Sequence, residues 1–281
     1  MTTQTLPSIS DIEEGLTTHQ VWRQSPAQRG TSEPDLIAVE VPVALQFNGI
    51  NHAVLLATPL DLEDLAVGFA FTEGIINSAD DVYDIDVESG PEGHVVHIEI
   101  ASACLHRLKQ RRRQLAGRTG CGLCGLESLS EVRRKLDPVA TPTDLVQTGA
   151  VFAALEQLRT RQPLHQQSGA THAAGLAHVN GDIQIVREDV GRHNALDKLI
   201  GHMLRTGTLQ QAQQHMVVVS SRASFEMVQK TAAAGIATLV AVSAPTSFAI
   251  RLATELNLLL IGFGRAHQFS AYSHTHRLHT P

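Results

Sequence analysis

The sequence predicts an α+β amino-terminal domain followed by an α/β three-layer domain, and three observations carry that expectation. Residues 36–100 are apolar runs joined by short glycine-containing turns. Residues 216–263 alternate apolar runs with amphipathic stretches in the order β-α-β-α-β. Between them, residues 137–149 hold Pro138, Pro142 and several threonines, the composition of a connector. The expected layout is a flexible arm over 1–35, an α+β domain over 36–137, a linker over 138–149 and an α/β domain over 150–281.

The arm is rich in Ser, Thr, Gln and Pro and carries a single aromatic, Trp22, which predicts at most one short strand. "LIAVEVPVALQF" and "HAVLLA" meet at Asn48-Gly49, a dipeptide suited to the positive φ angles of a hairpin turn. Leu62, Leu65, Ala66 and Phe69 then fall on one helical stripe that Gly74 can end. A second hairpin is expected from Val82 to Ile100, turning at Gly90-Pro91-Glu92-Gly93. Residues 102–115 have helix-forming composition, and "LESLSEVRRKL", residues 126–136, reads as helical again.

The second domain opens with a helix near Val151–Arg159 and a hairpin at Asn180-Gly181. A helix follows with Leu196, Leu199, Ile200, Met203 and Leu204 on one face. The strands "MVVVSS", "IATLVAVSA" and "NLLLIGF", with the helices between them, make a doubly wound pattern, so the strands should be parallel.

Composition bounds the function. A chain of 281 residues with 43% hydrophobic content can bury a sizeable core. No run approaches the roughly 20 apolar residues of a membrane helix, and Met1 to Glu14 is polar, so a cytoplasmic protein without membrane association is expected. A net charge of −6 argues against a general nucleic-acid binder. The three cysteines, Cys104, Cys121 and Cys124, are too few for a disulfide framework.

Ligands of open α/β sheets bind beyond the carboxyl ends of the strands. Three segments qualify: Ser220-Ser221-Arg222, Ser243-Ala244-Pro245-Thr246 and Gly262-Phe263-Gly264-Arg265. Hydroxyls at helix amino termini suit phosphate, Arg222 and Arg265 suit bidentate anion contacts, and Phe263 suits a base. A mono- or dinucleotide is the natural ligand; ordinary capping by Ser and Thr, with Phe263 in the core, is the competing reading. A second group of chemistry-bearing residues is His172, Glu188, Asp189, Arg192, His193, Asp197 and Lys198. For most of these a structural role fits better, with Asp189 capping a helix and His193–Asp197 forming an i, i+4 surface pair. His172, set among small residues, has room for a ligand.

"AGRTGCGLCGLESL" places Cys121 and Cys124 in a glycine-rich loop behind Arg107, Lys109, Arg111, Arg112, Arg113 and Arg118. A zinc site wants four ligands and only one CxxC is present; the histidines at 267, 274, 276 and 279 read as a polar tail, and no metal is expected. A thioredoxin-like motif should follow a strand rather than a basic helix. A nucleophile fits better, because neighbouring cations stabilise the thiolate that attacks. Cys104 lies outside the motif, and its replacement by alanine should be nearly silent.

In order along the chain, "FTEGII", "AGRTGCGLCG", "THAA", "EDVGRHNALDKLIG", "VSSRASFEMVQK" and "GFGR" resemble the formate dehydrogenase accessory sulfurtransferase family, FdhD, from about Glu40 to the carboxyl terminus. The resemblance implies a sulfur carrier. A cysteine desulfurase would load a persulfide on Cys121, with Cys124 relaying or resolving. The sulfur would pass to the bis(molybdopterin guanine dinucleotide) cofactor of formate dehydrogenase, bound along Leu260, Ile261, Gly262, Phe263, Gly264 and Arg265, with Ser221, Arg222 and His172 nearby. GDP would mimic half of that cofactor. The resemblance also implies a cytidine deaminase-like second domain and a homodimer; the zinc signature of deaminases is missing, so deamination is not expected. A CxxC dithiol oxidoreductase and a non-catalytic cofactor-holding chaperone stay open as alternatives.

Overall fold

The computed structural model describes residues 15–26, 28–116, 134–265 and 267–280. Within the expected arm, β1 (Leu16–Ser25) and β2 (Gln28–Ala38) pair as an antiparallel hairpin, which corrects the reading of residues 16–35 as loose chain with at most one strand; residues 1–14 lie outside the described residues. Composition hid the cross-strand contacts responsible. Trp22 lies against Gly30, where a Cβ would come within 2.5 Å of the indole, and Arg23 pairs with Glu33 and Asp35.

β3 (Val41–Phe47) and β4 (Ile50–Ala57) form the expected hairpin, with positive φ at both Asn48 and Gly49. α1 (Leu62–Thr72) ends at Gly74, φ +70°. β5 (Val82–Gly90) and β6 (Gly93–Ile100) complete a four-stranded sheet in the order β4-β3-β6-β5, with β3 and β6 parallel. Alternation sends Val43, Leu45, Phe47, Val96, Ile98 and Ile100 to one face, where they pack with Leu65 and Ala66 of α1 and with Cys104 and Leu108 of α2 (Ser102–Ala116). Most of the expected helix over 126–136 falls outside the described residues; 134–136 are irregular.

The expected linker ends in β7 (Val146–Gln147), followed by α3 (Thr148–Thr160) and α4 (Pro163–Ser168). β8 (His172–His178), β9 (Ile183–Asp189), α5 (Arg192–Arg205), β10 (His215–Val219), α6 (Phe225–Ala233), β11 (Thr238–Ala241), α7 (Ser247–Glu255) and β12 (Leu259–Arg265) follow as the sequence pattern predicts. Besides β1 and β2, three strands were not legible: β7 inside the expected linker, β13 (Gln268–Ala271) and β14 (Leu278–His279), the last parallel to β7. Residues expected to form a polar tail are thus partly ordered in sheets.

The large sheet runs β13-β12-β11-β10-β8-β9, with β10, β11 and β12 parallel and the remaining pairs antiparallel. Alternating residues feed two cores. Met216, Val218 and Ile261 join Val151, Ala154 and Leu158 of α3 on one face. Val217, Val219 and Leu260 join residues of α5, α6 and α7 on the other. The three-layer expectation therefore holds, but the unit is not doubly wound. Because β10, β11 and β12 are laid down in unbroken spatial order, α6 and α7 share one face, and α3 covers the other.

The two units are joined by α1 lying on α5. Gly68 and Gly201 make this contact close: a Cβ on Gly68 would lie 1.8 Å from the Asp197 carbonyl oxygen, and one on Gly201 1.9 Å from that of Asp64. Among the described residues no helix is long and apolar enough to cross a membrane.

Candidate functional site

The turns after β10, β11 and β12 are tied together by their backbones. Val242 N donates to Val219 O (3.0 Å), Thr246 N to Ala223 O (3.0 Å) and Phe263 N to Ser243 O (3.1 Å). Gly262 is required at this junction, since a Cβ there would stand 2.7 Å from Pro245 Cδ. The β12–β13 register shifts between Gly262 and Arg265, and Phe263 takes φ +51°. That irregularity turns Phe263 and Arg265 outward. Phe263 is 39% exposed, so the reading that buries it in the core does not hold.

The expected cofactor stretch divides accordingly. Leu260 and Ile261 are fully buried, one in each core, while Gly262 and Gly264 are buried backbone positions and Phe263 and Arg265 face solvent. Arg222 is exposed; Ser221 is buried and its hydroxyl donates to the Arg222 carbonyl (3.1 Å). Thr246 is an ordinary cap, accepting from Ala249 N (3.2 Å). Ser224 is not, and its Oγ instead lies 3.5 Å from His193 Nε2.

His172 belongs to the same edge, for a topological reason. β8 runs antiparallel to β10, so its first residue lies beside the carboxyl end of β10: Ala173 N donates to Ser220 Oγ (2.9 Å) and Ser220 N to Ala173 O (3.0 Å). Burial, and then the nearby Arg192, His165 and His193, lower the His172 pKa. α5 begins next door with Arg192 and His193, and His193 Nε2 lies 2.8 Å from Glu226 Oε2. One sheet edge thus gathers His172, Arg192, His193, Arg222, Phe263 and Arg265.

Of the remaining charged residues of "REDVGRHNALDKL", Arg187, Asp189, Asp197 and Lys198 hold the two units together, whereas Glu188 bonds within the second. Asp189 accepts from Gly191 N (2.7 Å), Asn194 Nδ2 (2.9 Å) and Thr58 N (3.0 Å), and pairs with Lys198 Nζ at 2.7 Å. Asp197 is not the expected surface partner of His193. It is buried against Lys230 Nζ (2.9 Å) and Thr72 Oγ1 (2.8 Å). Burial alone would lower the Lys230 pKa, but Asp197 and Glu73 outweigh it and raise it. Glu188 accepts from the backbone N–H groups of Leu164 (3.0 Å) and His165 (2.8 Å) at the start of α4. A further network was not foreseen: Arg187 and Arg205 both grip Asp64, at 2.9 and 2.6 Å. Asp64 is more than 120 residues from either arginine, so no local signal announces the network.

Cys121 and Cys124 lie outside the described residues. Cys104 is 1% exposed in the first core, its Sγ accepting from Arg107 Nη2 at 3.1 Å. Burial and the Asp81 carboxylate raise its pKa even against Arg107, so it stays a thiol. Among the described residues no cluster of metal-ligating side chains occurs.

Residues 38–279 match the sequence model of the FdhD/NarQ family. The chain is 52% identical over 271 residues to the sulfur carrier protein FdhD of Bordetella bronchiseptica, covering 96% of this chain and 97% of that one. It is likewise 52% identical over 263 residues to the sulfur carrier protein FdhD of Cupriavidus necator, covering 93% and 90%. A solved structure from Desulfotalea psychrophila, described as a "putative formate dehydrogenase accessory protein", matches with a TM-score of 0.72 over 94% of this chain and 99% of that one; at 22% identity this is a likeness of fold. With a family match across the sheet edge, the domain junction and the CxxC motif alike, the chain belongs to the FdhD/NarQ family.

Proposed function

We propose that this protein is a sulfur carrier for formate dehydrogenase maturation. It accepts sulfur from a cysteine desulfurase on Cys121 and passes it to bis(molybdopterin guanine dinucleotide), its substrate, before that cofactor enters formate dehydrogenase. The observation that carries this reading is the match over nearly the whole chain to relatives named sulfur carrier proteins. In the loading step the Cys121 thiolate attacks the outer sulfur of the desulfurase persulfide. One S–S bond forms as another breaks, and the desulfurase cysteine leaves as thiolate.

Two features of the fold support the assignment. Burial removes Cys104 as a nucleophile, leaving the CxxC pair. The described chain resumes at Arg134, whose backbone N–H donates to Gln229 Oε1 of α6 (2.7 Å) and whose guanidinium donates to the carbonyls of Phe71 and Thr72 (2.9 and 3.1 Å). Gln229 is about 6 Å along α6 from its start at the sheet edge. Arg134 follows Cys124 by ten residues, a length of chain that can span up to about 35 Å. A tether of that length permits the proposed delivery of sulfur to a cofactor held at the rim that carries Phe263 and Arg265.

The test is mass spectrometry after incubation with a desulfurase and cysteine. Addition of about 32 Da to the Cys121 peptide, abolished by Cys121→Ala, is the expected result. Loss of two hydrogens across Cys121 and Cys124 would identify a dithiol oxidoreductase instead, and an unmodified peptide a chaperone that only holds the cofactor.

A further inference from the structure

Residues 30–106 contain fourteen Asp and Glu residues and neither lysine nor arginine. The four-stranded sheet built from this stretch has one face under α1 and α2 and the other open to solvent. Cross-strand register sets out the open face. Val54 of β4, Ala44 of β3, Val95 of β6 and Glu88 of β5 are successive Cα partners, and alternation places Leu56 beside Val54, and Asp86 and Asp84 after Glu88. The face is therefore apolar along β4 and acidic along β5, three strand spacings or about 14 Å away. Val54 is 69% exposed and Leu56 57%, and Tyr83, 71% exposed, stands at the register shift of β5. Among the described residues Glu88 pairs with the His97 imidazole alone (3.2 Å), and Asp84 and Asp86 form no ion pair.

We propose that this face docks a basic protein surface with an apolar stripe, and that the protein presenting it is the cysteine desulfurase that loads Cys121. Charge and shape select the class of partner. A row of carboxylates without cations repels nucleic acid and anionic membrane alike, and a second copy of the same face would set Asp84, Asp86 and Glu88 against their own kind. A flat sheet face encloses no small molecule, whereas exposed aliphatic side chains with a tyrosine and a charged margin have the makings of a protein interface. A partner with lysines or arginines beside apolar side chains covers Val54 and Leu56 and compensates the carboxylates in one contact. Position then selects the donor. α1 lies between this sheet and α5, so the open face points away from the second unit. On the proposed route the enzyme that receives the cofactor approaches the edge carrying Phe263 and Arg265, which leaves the far side to the protein that supplies sulfur. The identity of the docked protein rests on the sulfur-carrier reading; the basic, apolar chemistry of its surface does not.

The rate of sulfur loading on Cys121 of the full chain, followed by mass spectrometry with two donors, tests the face. One donor is a purified cysteine desulfurase with cysteine; the other is glutathione persulfide, which needs no docking. The variant is Asp84→Lys/Asp86→Lys/Glu88→Lys, all three at exposed positions. With the desulfurase its kcat/KM should fall about tenfold or more, through KM, while loading by glutathione persulfide matches that of the parent protein. Val54→Lys should act in the same direction. In the parent protein kcat/KM with the desulfurase should fall as salt rises, and the triple variant should lose that dependence. An unchanged KM in the triple variant, an equal loss with both donors, or salt-independent loading of the parent protein by the desulfurase would each overturn the proposal. Should the triple variant lose its cooperative melt, amide hydrogen exchange on the parent protein decides. The desulfurase must then slow exchange in β4 and β5, and slowing there by formate dehydrogenase instead, or by neither protein, counts against the proposal. Slowed exchange without sulfur on Cys121 would remove only the carrier reading, whereas a loaded Cys121 without slowed exchange would remove only the docking face.

Discussion

Lys198 Nζ lies 2.7 Å from Asp189 Oδ2, and neither side chain has any solvent exposure. The pair sits where the two units meet, with Thr58 donating its N–H to the carboxylate and accepting from the ammonium through its carbonyl (2.9 Å). Residues that look like an acid–base cluster in the sequence are therefore mortar between domains.

Lys198→Met should make this visible. It leaves the Asp189 carboxylate buried without its counterion, which costs about 3–5 kcal/mol. Urea denaturation should place the midpoint well below that of the parent protein; an unchanged midpoint would mean the pair contributes nothing to the junction.

Asp64 sets an acid limit. Burial would raise its pKa, but His202, Arg187 and Arg205 outweigh this and lower it from 3.8 to about 2. A depressed folded-state value stabilises the protein above the unfolded pKa, and that stability is lost as pH falls toward 2. The contribution is about 2 kcal/mol near neutrality. Asp64→Asn should be less stable than the parent by at least this much above pH 5, and the gap should narrow steadily on acidification. A gap independent of pH would show that the loss is steric.

Cys104 separates packing from chemistry. Its thiol fills the first core between α2 and the sheet, so Cys104→Ala should cost about 1 kcal/mol in thermal or urea unfolding while staying nearly silent in activation of formate dehydrogenase. Sulfur loading of Cys121 should be unaffected. Brief alkylation of the native protein should spare Cys104; rapid labelling there would contradict its burial.

Phe263 holds a positive φ while presenting its ring to solvent. Phe263→Gly relieves the backbone and removes the ring together. The melting midpoint should change little, whereas affinity for GDP should fall by about tenfold, the worth of one base–aromatic stack. A variant that bound GDP normally would move the base away from this turn.

Period and turn chemistry were enough to read most elements, because these signals are local: the Asn48-Gly49 hairpin, the stripe of α1 ended by Gly74, and the alternation of β10 to β12 with α6 and α7. The residues of the β1–β2 hairpin, β13 and β14 gave no such signal, since their stability comes from cross-strand partners rather than from their own composition. The same divide runs through the site. The placement of Phe263, Arg265 and Arg222 on one sheet edge was legible because each follows the carboxyl end of a parallel strand. The place of His172 beside Ser220 follows only from the antiparallel pairing of β8 with β10. Likewise, the roles of Asp189, Asp197 and Lys198 depend on Thr58, Thr72 and Lys230, partners from 33 to 140 residues away. A charge in a sequence carries its sign but not its surroundings; burial against a distant partner is what separates a structural ion pair from a group free to meet a ligand.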